Sequence, residues 1–306
     1  MDVQLKTLCL DPAKLHGLSE KLLRSHYDNN YTGAAKRLNA IRGQLSQLVW
    51  DTTPVFTING LKREELIAAN SVYLHELYFE ILGGDGALAS NGLSVALRRD
   101  FGSLERWQSE FTALAKAMGG GSGWAILNWS HREGRLVNQW AADHTHLLAG
   151  ATPLLALDMY EHAYHLDFGA KAGAYVEAFM RNIAWDAVYL RYDAAVNASA
   201  AGLGLAPAAA HQQAAQLIDV RRAETFVEAA DMIEGATYSE PSAVPAWVQT
   251  LDRTRPVVVY CAHGLDIGRS TALSLRAHGV DAHFMEGGIE AWRAQQLPIS
   301  SKGGAV

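Results

Sequence analysis

Asp158 closes an apolar run, Thr152-Pro153-Leu154-Leu155-Ala156-Leu157, and His162 follows four residues later. A carboxylate leaving a buried strand needs a partner, because an unpaired charge in an apolar setting is costly. An imidazole four residues on supplies one in either of two ways: as the hydrogen-bonded neighbour of a helix-capping Asp, or as the second member of a metal-ligand pair. The spacing alone leaves both open. His26 and His75 would extend the pair to three imidazoles and one carboxylate. That donor set suits Fe, Mn or Zn, and the absence of a thiolate argues against a structural zinc or an iron–sulfur cluster. Taken singly, each of these histidines is equally an ordinary core or surface residue.

A second chemical group lies near the other end of the chain. Val257 to Arg269 reads VVVYCAHGLDIGR, a buried strand running into Cys261, a Gly-containing loop and a helix. A thiol at such a turn faces backbone N–H groups and a helix dipole, which favour thiolate. The alternative is a buried structural cysteine. The loop Gly119-Gly120-Gly121-Ser122-Gly123 has the glycines of a phosphate cradle, but no Lys-Ser/Thr follows and the next element is a strand. His131 and His211 have no partner in spacing and read as solvated.

The elements that must position these groups fall into two styles. Apolar residues at Leu22, Leu23, Tyr27, Tyr31, Ala34, Leu38, Ile41, Leu45 and Leu48 predict one long helix, or a hairpin broken near Asp28-Asn29-Asn30. A second helix over Lys62 to Leu82 carries His75. Strands are predicted at Trp124–Trp129, Leu136–Trp140 and Leu154–Leu157, so helices precede a short sheet and the fold class is α+β. After residue 212 the pattern alternates: strands at Leu217–Val220, Val257–Tyr260 and Ala282–Met285, helices at Ser270–His278 and Ile289–Gln295. That is a small α/β domain with a parallel sheet. Between the two, 197–212 is rich in Ala and Gly and uncharged, and is predicted as a linker, with part of it open to a helical reading. The expected organisation is therefore 1–196, linker 197–212, and 213–300, with a frayed tail at Ser300-Ser301-Lys302-Gly303-Gly304.

The chain has 306 residues, 49% hydrophobic and 19% charged, with a net charge of −6, which describes a folded two-domain protein. No basic patch is present, so nucleic acid is excluded as an expected partner. An anionic substrate must be attracted locally, by a metal or a few arginines. Two cysteines, Cys9 and Cys261, cannot make a disulfide framework and point to a reducing compartment. With no signal-like N-terminus and no run long enough for a membrane span, the expected location is the cytoplasm.

Several of these segments, in order and spacing, resemble the iron/manganese superoxide dismutase family over about residues 1–195. They are Ser25-His26-Tyr27, Arg37-Leu38-Asn39, Asn70 to Phe79, Gly121-Ser122-Gly123-Trp124, Asp158-Met159-Tyr160-Glu161-His162-Ala163-Tyr164-His165-Leu166, and Asn182 with Trp185-Asp186. The resemblance implies Fe or Mn held by His26, His75, Asp158 and His162, superoxide as substrate, O₂ and H₂O₂ as products, and a homodimer in which Glu161 reaches the partner's metal-bound His. It also implies departures. The family's gateway tyrosine is Ala34 here. A histidine four residues after the first ligand is Asn30, a cross-subunit tyrosine is His165, and the Trp of the D-x-W-E-H motif is Tyr160. Two tryptophans of the metal cage correspond to Phe79 and Ile126, while Trp124 is retained. A position that hydrogen-bonds the metal's water falls at His144, with His146 two residues away as the other candidate.

Leu217-Ile218-Asp219-Val220-Arg221, Cys261, and Met285-Glu286-Gly287-Gly288-Ile289-Glu290-Ala291-Trp292 resemble the rhodanese family over about residues 213–298. In that family the cysteine carries a persulfide held by loop amides and an arginine. Arg269 is the matching arginine, eight residues after Cys261, in a loop that resembles the extended ones of rhodanese modules attached to chromate-resistance proteins. A sulfur donor or an oxyanion is the implied ligand. The leading expectation is a dismutase with an appended module. The alternative is a metal-binding scaffold with weak or no dismutation, whose Cys261 module performs sulfur transfer, oxyanion binding or redox sensing.

Overall fold

The computed structural model describes residues 2–8, 10–213 and 215–302; Cys9 and the Gly303-Gly304 end of the tail lie outside them. The first two helical rods form an antiparallel pair. Ser19 caps α1 (Glu20–Ser25) by accepting the Leu22 N–H at 3.1 Å, and the rod continues through a π-helical segment, His26–Tyr31, into α2 (Thr32–Ser46). The predicted break near Asp28-Asn29-Asn30 is thus a widened turn inside one continuous rod. A π-turn accommodates an extra residue without ending the helix, and it lets His26 and Tyr31 both face inward. After a turn the chain returns along α3 (Val55–Glu80), which carries His75 on its buried side.

α4 (Gly92–Phe101), opened by a reciprocal Asn91–Ser94 capping box, and α5 (Leu104–Ala117) lead into the sheet. Its strands are β1 (Trp124–Ser130), β2 (Arg135–Ala141) and β3 (Ala151–Asp158), antiparallel in the order β2-β1-β3. β1 is buried along its whole length, as expected of a central strand flanked on both edges. Three helices complete this part: α6 (His165–Phe168), α7 (Ala172–Met180) and α8 (Trp185–Ser199).

The remainder is built on a five-stranded sheet in the order β4-β9-β8-β5-β7. In chain order its elements are β4 (Gly204–Leu205), α9 (Pro207–Gln212), β5 (Gln216–Asp219), α10 (Ala223–Glu228), β6 (Asp231–Ile233), β7 (Thr237–Tyr238), α11 (Val244–Trp247), β8 (Val257–Tyr260), α12 (Asp266–Ala277), β9 (Ala282–Met285), α13 (Gly288–Ala294) and β10 (Ile299–Ser301). All four pairings within the sheet are parallel, while β10 pairs antiparallel with β6 outside it. Two expectations are corrected. The 197–212 segment is the end of α8, the edge strand β4 and α9, whose Ala210 is buried against the module's core. Small uncharged residues suit close packing as well as a flexible tether, so composition could not tell the two apart. Ser300 and Ser301 are likewise held in β10.

The two parts share a core. Val257, Val259, Leu275 and Phe284 belong to the same contiguous buried cluster as Leu22, Trp129 and Val188. At the seam the buried Arg99 pairs with Asp100 and donates to the Ser270 carbonyl at 3.2 Å, and Arg222 donates to the Ser90 carbonyl at 2.7 Å. A Cβ on Gly92 would lie 1.8 Å from Asp266 Oδ2. Among the described residues no helix is long and apolar enough to cross a membrane.

Candidate metal centre

Each ligand candidate arrives on a different piece of local structure. His26 opens the π segment, His75 lies in the last two turns of α3, Asp158 ends β3, and His162 sits in a short 3₁₀ turn, Glu161–Ala163. Gly123 helps fix the carboxylate, because its carbonyl accepts the Met159 N–H at 2.9 Å just past Asp158. The Tyr160 N–H donates to Asp158 Oδ1 at 2.8 Å, which occupies one carboxylate oxygen and leaves Oδ2 facing the histidines. Around Oδ2 stand His26 Nε2 at 3.1 Å, His162 Nε2 at 3.2 Å and His75 Nε2 at 3.5 Å. One ligand atom from each of the four residues falls within 4.8 Å of the others, so the helix-cap explanation of Asp158 and His162 gives way to a convergent set.

The donor chemistry fits a cation. His75 Nδ1 lies 2.6 Å from the Ser71 carbonyl, which can only accept, so the ring proton sits on Nδ1 and Nε2 turns a lone pair inward. That Nε2 is buried with no hydrogen-bond partner among the described residues. Three imidazole nitrogens around one anionic oxygen match an Fe or Mn ion of this coordination preference, and the Ser71 bond is the outer support that ligating histidines generally have. Burial lowers His75 to about 3 and also lowers His26, so both are neutral and able to ligate. Burial pushes the Asp158 carboxyl up, but hydrogen bonds from His162 and His26 outweigh it and hold the group well below the usual carboxylate range.

Aromatic rings close the rest. Phe79 packs 5.1 Å from the His26 ring and Trp124 stands edge-on to His75 at 5.3 Å. A cavity of about 420 Å³ opens toward His75 and His162, lined among others by Asn30, Ala34, Arg37, His144 and Tyr160. Of the two histidines weighed at this position, the structure places His144 here, its Nδ1 3.1 Å from the Tyr160 hydroxyl, while His146 stacks on the exposed Trp140. Asn70 holds the loop by donating to the His144 carbonyl at 2.5 Å. Glu161 and His165 are exposed and Asn30 is half-buried. Ser71 and Asn70 escaped the sequence reading as site residues; their signal was their position one turn before His75 on the same helix.

In the second part, Cys261 is 5% exposed and lines a cavity of about 200 Å³ with Arg221, Arg222, Thr225, His263 and Asp266. The tight approach of Gly288, φ +58°, brings α13 against the loop: a Cβ there would lie 2.4 Å from the Cys261 carbonyl oxygen, which accepts the Ile289 N–H at 3.0 Å. Arg269 is not on this cavity. It lines a different one, of about 570 Å³, with Phe284 and Glu286. The arginines beside Cys261 are instead Arg221, paired with Asp219 at 2.5 Å, and Arg222, paired with Glu224 at 3.2 Å.

Residues 89–191 match the family model described as iron/manganese superoxide dismutases, C-terminal domain, and residues 205–295 match the one described as rhodanese-like domain. The chain is similar to the iron superoxide dismutase of Cupriavidus metallidurans, 64% identical over 193 residues, covering 63% of this chain and 98% of that protein. It is similar to the iron superoxide dismutase of Aquifex pyrophilus, 36% identical over 197 residues, covering 62% and 91%. The manganese superoxide dismutase 2 of Halobacterium salinarum is 31% identical over 182 residues, covering 59% and 89%.

Proposed function

The chain belongs to the iron/manganese superoxide dismutase family, and from that premise we propose that it disproportionates superoxide to O₂ and H₂O₂ at one iron or manganese ion held by His26, His75, Asp158 and His162. The observation that carries this is the convergence of the four donor atoms within 4.8 Å in a buried pocket. The bound ion supplies the one-electron chemistry of the two half-reactions. The chain's own residues orient the donors through Ser71 and Gly123, exclude bulk water with Phe79 and Trp124, and admit substrate through the cavity beside Ala34. Arg37 lines that cavity with its guanidinium paired to Glu64. Metal analysis with a superoxide-consumption assay tests the reading: wild type should hold about one Fe or Mn per chain and consume superoxide, and His75→Ala should lose both. Stoichiometric metal without dismutation at any pH would sink the enzymatic claim and leave the scaffold reading.

Three further readings are part of the proposal. Residues 1–203 form the metal domain and 204–302 the rhodanese-like module, with β4 rather than a linker as the joint. The exposed Glu161 and His165, beside the half-buried Asn30, support a homodimer formed across this face. A reducing, cytoplasmic location is consistent with the free Cys261. For the module, the thiol lining its own cavity favours chemistry with a small sulfur donor or oxyanion. A thiosulfate–cyanide assay decides, since equal rates for wild type and Cys261→Ser would remove the module from catalysis.

A further inference from the structure

We infer that Tyr160 fixes the tautomer of His144, turning that residue into a hydrogen-bond donor aimed at the open side of the metal centre. This rests on the reading of the centre given above. The Tyr160 ring is clamped, stacked on His162 with centroids 5.4 Å apart and on His144 at 4.9 Å. Its hydroxyl lies 3.1 Å from His144 Nδ1. The other ring nitrogen, Nε2, is buried without a hydrogen-bond partner among the described residues, and the His144 ring stands 6.2 Å from that of His75.

A neutral imidazole carries one N–H. With the phenol donating to Nδ1, the proton resides on Nε2 and points into the centre. The reversed bond would leave both the phenolic proton and the Nε2 lone pair without a protein partner. Among the described residues Tyr160 is the one phenol lining this cavity, and position 34 is Ala. The hydroxyl that matters here therefore enters from the Asp158–His162 turn. His144 is the group that meets an anion in the open position, and Tyr160 is a positioning residue that acts through it.

Two measurements test this. In ¹⁵N-histidine spectra of the metal-free protein, with the signal assigned by its loss in His144→Gln, wild type should show His144 protonated at Nε2, and Tyr160→Phe should show a mixture of tautomers. In the iron-loaded protein, Tyr160→Phe should bind azide about tenfold more weakly, the weight of one hydrogen bond to a charged group. Adding His144→Gln to that variant should recover affinity, because an amide donates without a tautomer to set. A wild-type His144 protonated at Nδ1, or unchanged azide affinity in a fully metallated Tyr160→Phe, would overturn the inference. A chain that takes up neither iron nor manganese would overturn the reading of the centre instead, and the spectrum would still decide the tautomer.

Discussion

His75 shows how one side chain is committed before any ion arrives. The Ser71 carbonyl consumes its Nδ1 proton at 2.6 Å, and burial removes the option of charging the ring. This has a consequence for the metal-free protein. With a folded value of about 3 against an ordinary 6.5, the unfolded chain binds a proton that the folded one refuses. The stability His75 contributes is therefore fully present above about pH 6.5 and is lost as pH falls through the window down to its folded value. The loss proceeds at up to about 1.4 kcal/mol per pH unit for each such group. Calorimetry of the metal-free protein should show Tm falling between pH 7 and pH 5, and His75→Gln should flatten part of that slope; a variant with the wild-type slope would refute the assignment. The ligand set was legible through the family resemblance, because the four-residue spacing of Asp158 and His162 alone fits a helix cap as well. The Tyr160–His144 bond was not, since sixteen residues separate them and only the folded turn brings them together.

At the scale of elements, the Gly121-Ser122-Gly123-Trp124 segment acts as the hinge point between helices and sheet. Gly123 has φ +138°, and a Cβ there would lie 2.1 Å from the Ala141 carbonyl oxygen. Gly123→Ala should push β1 away from β2 and drag the Met159 bond with it. The expected outcome is a loss of about 2 kcal/mol or more, with reduced iron or manganese content in the purified protein; unchanged Tm and full metal content would show that the strand absorbs the methyl group. Hydrophobic periodicity made the two long helices and three strands readable. It could not distinguish a break from a π-turn at His26–Tyr31, because both shift the apolar stripe by one residue. The 197–212 stretch is hard to read for a related reason: a two-residue edge strand leaves no periodic signal.

For the whole molecule, the shared core predicts cooperative unfolding. Wild type should melt in one calorimetric transition. Gly92→Ala, which forces its new methyl onto Asp266, should loosen the seam and split the transition in two while leaving the metal ligands in place. A single unshifted transition would mean that the seam yields without cost. The homodimer is tested separately: Glu161→Lys should shift the mass measured by light scattering toward the monomer, and an unchanged dimer would place the interface on another face.

The seam also bears on how the chain is made. During synthesis α4 and α8 leave the ribosome well before α12, so the surface that Arg99 and Gly92 present to Ser270 and Asp266 stays wet until the last segments emerge. The nascent chain reaches its final burial only when β8, α12 and β9 have closed over it.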